Sequence, residues 1–219
     1  MRLARELELR LERLVDGASA ALFRGRLHPV EIADRLIRQV DFLQFESIAG
    51  PQIPNQIEVR LSPADLDPEL RIGKLQHELA HALTVTAADR GWRTGGPVTV
   101  VVTTDEAVPR GLLECEGKEV PGVLPAWAQL LAQDGSGALD FTDNRNLIGR
   151  ELDCDVIVSV PAVSRYHAIG GRDLGAAHID DLSSSNGTFV NGSRITERAN
   201  LLPGDGVVFG DAAFTYRPV

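Results

Sequence analysis

Apolar residues recur at helical spacing in the first part of the chain and give way to short β-rich runs in its second half. Leu3, Leu7, Leu11, Leu14, Ala18 and Ala21 share one stripe and predict an amphipathic helix over about residues 2–23, ending near Gly25. His28-Pro29 restarts a second helix, with proline in the first turn, where its missing N–H costs nothing, and with Val30, Ala33, Ile37 and Val40 as its apolar face. Gly50 to Pro54 break that pattern. Gln56 to Leu61 alternates polar and apolar residues as a half-buried strand does. A third helix is expected over about residues 68–90, with Ile72, Leu75, Leu79, Ala82 and Leu83 on its apolar stripe and Gly91 as the C′ residue. Pro97 to Thr104 is β-branched enough for a buried strand. The order to about residue 110 is α-α-β-α-β, a small α+β unit.

Gly117, Pro121, Gly122, Pro125, Gly135 and Gly137 then punctuate the chain, and no helical period survives beyond them. Short runs alternate with turn signals at Gln129–Ala132, Ala138–Phe141, Asn146–Gly149, Val156–Val158, His167–Gly170, Ala176–Asp180, Thr188–Val190, Gly206–Phe209 and Ala213–Arg217. That spacing is the one expected of a β-sandwich. The predicted fold class is therefore multi-domain: an α+β domain over 1–115, a linker over 116–128 and an all-β sandwich over 129–219.

Composition narrows the function. The 219 residues are 43% hydrophobic and 24% charged, ordinary globular usage. The formal net charge of −9 argues against a broad basic surface for nucleic acid or anionic membrane, so any phosphate must be held by a small local cluster. Cys115 and Cys154 form no CxxC pair, which excludes a disulfide scaffold and a cysteine-built zinc site and fits a reducing compartment. The N-terminus lacks the apolar core of a signal peptide, and no apolar run approaches the ~20 residues of a membrane span. A cytoplasmic protein is expected, without direct membrane insertion and reaching a membrane only through its partners.

Four motifs follow in order in the second half: Ile148-Gly149-Arg150, then Val163-Ser164-Arg165-Tyr166-His167, then Asp181 through Ser183-Ser184-Ser185-Asn186-Gly187 to Asn191-Gly192, and Leu202-Pro203-Gly204-Asp205 leading to Phe209-Gly210. Singly, each reads as a turn or a solvated loop. Together, over about residues 128–219, they resemble a forkhead-associated (FHA) domain. The resemblance implies an eleven-stranded sandwich that binds phosphothreonine peptides through loops at one end. It implies Arg150 as the guanidinium pairing with phosphate, hydroxyls from Ser164 and Ser185, a grip on the peptide backbone by Asn186, and Arg165 as a second cation. Gly149, His167 and Gly187 are implied as structural supports. The residue types suit that ligand: a phosphothreonine carries about −1.5 to −2 charges and three acceptor oxygens, which an arginine fork and short hydroxyl donors match. Residues 140–219 hold seven arginines against eleven acids, so a phosphate there is held by focused donors, not by net charge.

His77-Glu78-Leu79-Ala80-His81 is a literal HExxH, in which two histidines bind zinc and the glutamate activates water. His77 and His81 fall roughly on the face opposite the apolar stripe, and no third ligand follows at a family spacing. A zinc metalloprotease is therefore the alternative, and the preferred reading has no catalytic residue, metal or cofactor. The run Leu27-His28-Pro29-Val30-Glu31-Ile32-Ala33, the strand after Pro54-Asn55, and Gly91-Trp92 leading to Gly96-Pro97-Val98 are similar to the uncharacterised domain that precedes FHA in actinobacterial kinase and cell-wall regulators. Only Lys74 and Lys118 are lysines among the 22 basic residues, the arginine bias of a high-GC lineage. The two resemblances together imply a phosphothreonine-binding adaptor whose partners are phosphothreonine-containing proteins and a serine/threonine kinase. Thr103 and Thr104, beside Asp105 and Glu106, are candidate phosphoacceptors, set against the plainer role of strand threonines.

Overall fold

A computed structural model describes residues 27–66 and 71–219. The helix expected over 2–23 lies outside the described residues, as do residues 67–70 at the expected start of the third helix. The chain divides into two compact units. The first comprises Met1–Phe45, Gln52–Ala87 and Thr94–Gly122, and the second comprises Glu46–Pro51, Ala88–Arg93 and Val123–Val219.

In the first unit, α1 (Pro29–Phe42) starts where the His28 Nδ1 accepts the Val30 N–H at 3.3 Å. Its buried side chains are Pro29, Ile32, Ala33, Leu36 and Val40, so the helix is rotated from the expected face and Val30 and Ile37 are only half-buried. Ile32 and Leu36 offered an equally good i, i+4 pair, and packing against the later strand Leu113–Lys118 selects it. The hairpin of β1 (Phe45–Ser47) and β2 (Gly50–Gln52) falls mostly in the second unit, and the first continues with β3 (Gln56–Leu61), most of α2 (Ile72–Arg90), β4 (Thr99–Thr104) and β5 (Leu113–Lys118). The sheet order is β4-β3-β5; β3 runs parallel to β4 through the α2 crossover and antiparallel to β5. Ile57, Val59 and Leu61 bury one face of β3, and Leu75, Leu79 and Leu83 of α2 are fully buried. Each such side chain contributes roughly 1.5–3 kcal/mol. Ile72, expected on that stripe, is 42% exposed. Gly91 takes φ +62° directly after the helix, a conformation glycine adopts without a Cβ penalty. β5 was not expected: Leu-Glu-Cys-Glu-Gly-Lys buries Leu113 alone and runs into the segment read as linker.

In the second unit, two antiparallel-rich sheets face each other. One has the order β14 (Ala199–Leu201), β11 (Ala176–Asp181), β10 (Ala168–Asp173), β8 (Arg145–Gly149), β9 (Val156–Ile157). The other runs β13 (Ser193–Arg194), β12 (Thr188–Val190), β15 (Gly206–Phe209), β16 (Ala212–Pro218), β6 (Ala128–Ala132), β7 (Ala138–Phe141). Leu130, Phe141, Ile148, Ala168, Ile179, Val207 and Phe209 fill the space between them. Gly170 makes room for the Phe141 ring, since a Cβ there would lie 2.5 Å from Cζ. An α+β unit is thus followed by a β-sandwich.

Candidate phosphate-binding loops

Three segments meet at one end of the sandwich: the loop after β8, the stretch entering β10, and the loop between β11 and β12. β8 ends at Gly149, which has no room for a side chain because a Cβ would sit 1.9 Å from the Arg165 carbonyl oxygen. That close approach lets the backbones bond. The Arg150 N–H donates to the Ser164 carbonyl at 3.1 Å, the Glu151 N–H to the Arg165 carbonyl at 3.4 Å, and the His167 N–H to the Ile148 carbonyl at 2.8 Å.

His167 joins the second and third segments. Its ring is fully buried, Nδ1 accepts the Ser164 N–H at 3.0 Å, and Nε2 lies 3.3 Å from the Gly187 carbonyl oxygen. An accepting Nδ1 puts the ring proton on Nε2, which therefore donates to Gly187. Burial pushes the imidazole pKa below its ordinary value, against the opposing pull of that carbonyl and of Asp181. With both nitrogens engaged and the ring neutral, His167 has no free position from which to act as a base.

The serine run divides its labour. Ser184 is buried; its hydroxyl donates to Asp181 Oδ1 at 2.6 Å and accepts the Gly187 N–H at 3.1 Å. Thr188 donates to the same carboxylate oxygen at 2.6 Å. Burial opposes the charge on Asp181, but the hydrogen bonds from Ser184 and Thr188 overcome it and hold the pKa below the usual carboxylate value. Ser185 is exposed, and its N–H donates to Ser164 Oγ at 3.0 Å, which leaves the Ser164 hydroxyl proton available to a ligand. The Asn186 amide donates to the Ala162 carbonyl at 2.7 Å, so its carbonyl oxygen stays available. Gly187 takes φ +84° and its carbonyl also accepts the Gly210 N–H at 3.1 Å.

The guanidinium groups of Arg150 and Arg165 are exposed and make no hydrogen bond or ion pair among the described residues. Most other arginines of this unit are engaged; Arg198, for instance, bridges Asp173 and Asp180 at 2.7 and 3.1 Å. The structure thus brings Arg150, Ser164, Arg165, Ser185 and Asn186 onto one rim supported by Gly149, His167 and Gly187. Exposed guanidinium groups and hydroxyl protons on one rim suit an oxyanion ligand. A cleft of about 510 Å³ beside the β6–β7 hairpin, lined by Leu139, Ile157, Val160 and Phe214, contains none of these residues.

The remaining candidates lie in the other unit. Thr103 is half-buried on β4 with its hydroxyl donating to Glu58 Oε1 at 3.2 Å, while Thr104 is exposed at the strand end. His77 is exposed and Glu78 and His81 are half-buried on α2, off the stripe of Leu75, Leu79, Ala82 and Leu83. Among the described residues no three His, Cys, Asp or Glu side chains come together as a metal site. Nor does any described helix have the length and apolarity to cross a membrane. Asp181 and Ser184, which shape the third loop, stand in the third motif but drew no role from the sequence; the short spacing Asp181-x-x-Ser184-x-x-x-Thr188 was the signal for it.

A family described as "FhaA, N-terminal domain" matches residues 4–116, and one described as "FHA domain" matches residues 146–210. The DNA damage response protein kinase DUN1 of Saccharomyces cerevisiae is 38% identical over 78 residues, 31% of this chain. This chain spans only 15% of that kinase's length. A solved FHA domain described for its phosphothreonine-dependent interactions is 31% identical, with a TM-score of 0.40, covering 42% of this chain and 96% of that one. The FhaA FHA domain, solved in complex with the intracellular domain of Rv3910, is 32% identical with a TM-score of 0.39, covering 41% of this chain and 99% of that one.

Proposed function

Because the chain belongs to the FhaA N-terminal-domain family and carries an FHA domain behind that region, we propose that it is a phosphothreonine-peptide-binding adaptor in serine/threonine-kinase signalling. The single observation that carries the reading is the exposed, unpaired Arg150 guanidinium, held at the end of β8 by the Gly149 approach and the 3.1 Å bond to Ser164. Arg150 takes the phosphate, Ser164 and Ser185 donate hydroxyl protons to it, Arg165 adds a second cation, and Asn186 holds the peptide backbone. The threonine methyl and the flanking backbone supply shape; the phosphate supplies most of the recognition energy. A charge-assisted hydrogen bond is worth about 1.5–3 kcal/mol, so loss of the Arg150 fork weakens binding by at least about tenfold.

In this reading the protein performs no reaction of its own. It recruits proteins that a serine/threonine kinase has phosphorylated, from the cytoplasm and, through those partners, at the membrane. The first unit serves as the docking and kinase-facing region, with Thr103 and Thr104 as its phosphoacceptors. Pull-down of cell extract on the wild-type protein and on Arg150→Ala, before and after phosphatase treatment, tests the proposal. Partners captured only by the wild type and only before phosphatase support it; equal capture by both proteins refutes it.

A further inference from the structure

A side chain from far earlier in the sequence holds the far end of the loop that carries Arg150 and the start of the strand that leads into it. Segment Ala88–Arg93 is part of the second unit. The Arg93 guanidinium donates from one Nη to Asp155 Oδ2 at 2.6 Å and from the other to Asp155 Oδ1 at 2.9 Å, a bidentate fork. The first Nη also donates to the Arg145 carbonyl at 2.5 Å. Arg145 opens β8 and Asp155 closes the loop Arg150–Asp155. The same Asp155 Oδ2 accepts the Leu147 N–H at 2.7 Å, so one carboxylate ties the far end of the loop to the middle of β8.

This clamp answers a geometric difficulty. β8 and β9 run parallel, with Ile148 opposite Val156 and Gly149 opposite Ile157. Parallel neighbours normally need a crossover of about a dozen residues or more. Here the chain turns back through Arg150–Asp155 alone, with one internal backbone bond, Cys154 N–H to Glu151 carbonyl at 3.2 Å. A loop so short and so sparsely bonded depends on outside anchors. The Arg93 side chain is 12% exposed and that of Asp155 29%, so solvent reaches the pair mainly from the carboxylate side. Arg93 is itself fixed: its N–H donates to the Pro51 carbonyl at 2.9 Å, and the neighbouring Trp92 carbonyl accepts the Asn144 side-chain amide at 2.7 Å.

We propose that Arg93 is a positioning residue for the phosphate-binding loop, holding Arg150 in its binding orientation from outside residues 146–210 that match the FHA domain. The inference rests on the phosphothreonine-binding role given above. It makes peptide affinity a property of the whole chain, because the guanidinium that sets the loop belongs to the region matched by the N-terminal family. Lysine cannot replace it fully, since an ammonium makes no planar two-point contact with a carboxylate.

The test uses the full chain and the tightest peptide selected by the wild type from a phosphothreonine-centred oriented library. Arg93→Ala is expected to weaken that peptide at least tenfold and Arg93→Lys to fall between the two. Amide hydrogen exchange is expected to quicken at Leu147 and residues 150–155 and to stay unchanged across β10 and β11. Wild-type affinity in Arg93→Ala overturns the proposal, and so does exchange that rises uniformly through the second unit, which marks a merely structural residue. Should Arg93→Ala not fold, Arg93→Lys and Asp155→Asn decide: reduced affinity with local exchange supports the clamp, and wild-type affinity in both overturns it. If the wild type selects no phosphothreonine peptide, the phosphothreonine reading fails, while exchange at 147 and 150–155 still judges the clamp.

Discussion

Replacing Gly149 by alanine places a methyl group where the Arg150 and Arg165 backbones meet. The new Cβ would lie 1.9 Å from the Arg165 carbonyl oxygen, 2.8 Å from its carbonyl carbon and 2.9 Å from Cys154 Sγ, where ordinary contact begins at 3.4 Å. Two of those three atoms are backbone, so no side-chain rotation relieves the overlap, and the segments must part by about 1.5 Å, with overpacking strain of roughly 1–3 kcal/mol. The bonds Arg150 N–H to Ser164 and Glu151 N–H to Arg165, now 3.1 and 3.4 Å, then exceed hydrogen-bonding distance. Each contributes about 1 kcal/mol net, so with the strain the loss is roughly 3–5 kcal/mol. For a chain of this size that lowers Tm by about 6–20 °C. The displaced guanidinium also weakens a phosphothreonine peptide at least about tenfold. Differential scanning calorimetry and fluorescence anisotropy measure the two effects. Gly73→Ala is the control: a Cβ there meets nothing within 4 Å, and a helical position gains up to about 1 kcal/mol. A Gly149→Ala protein with wild-type Tm and affinity refutes the close-approach argument.

Further outcomes test the supports of the same rim. Asn146 is fully buried, accepting from the Thr142 and Asp143 N–H groups and donating to the Asp143 and Gly170 carbonyls; Asn146→Ala should destabilise by roughly 3 kcal/mol in a urea titration, and a loss below about 1 kcal/mol contradicts it. Thr188→Val removes a donor to Asp181 while keeping shape, and is expected to cost about 1–2 kcal/mol and to quicken amide exchange in residues 182–187; unchanged exchange would argue against the Asp181 hub. Burial lowers the folded-state pKa of both His167 and His178 from the ordinary 6.5. Stability is therefore complete above about 6.5 and declines as pH falls, because the unfolded chain takes up protons that the folded chain resists. The depressed Asp181 pKa acts the same way from about 3.8 downward. A thermal scan in which Tm rises between pH 7 and 5 would reverse that sign.

Periodicity and linear motifs carried much of the architecture into the sequence. Leu75, Leu79, Ala82 and Leu83 mark α2 because one helical face is buried, and the β-branched run at Thr99–Thr104 marks β4 because alternate residues face a core. β5 was hidden because Glu114, Glu116 and Lys118 face outward and Leu113 is its one buried residue. β13 and β14 are too short for alternation to register. The face of α1 was misjudged because Val30 and Ile37 are as apolar as Ile32 and Leu36, and only the neighbouring strand distinguishes them. The candidate rim was readable because each of its loops is a contiguous motif. The division of Ser184 from Ser185 was not, since both are small hydroxyls and only the Asp181 carboxylate sorts them. Arg93 and Asp155 lie 62 positions apart, and only the folded chain pairs them.

The central claim is that Arg150 recognises phosphate on threonine. Isothermal titration of the full chain compares one library-selected peptide in its phosphothreonine, phosphoserine and unphosphorylated forms, against wild type and Arg150→Ala. The account predicts saturable binding of the phosphothreonine form to wild type, no measurable binding of the unphosphorylated form, and a loss of at least about tenfold in Arg150→Ala. Equal binding of the phosphorylated and unphosphorylated peptides, or equal affinity in the two proteins, would contradict it.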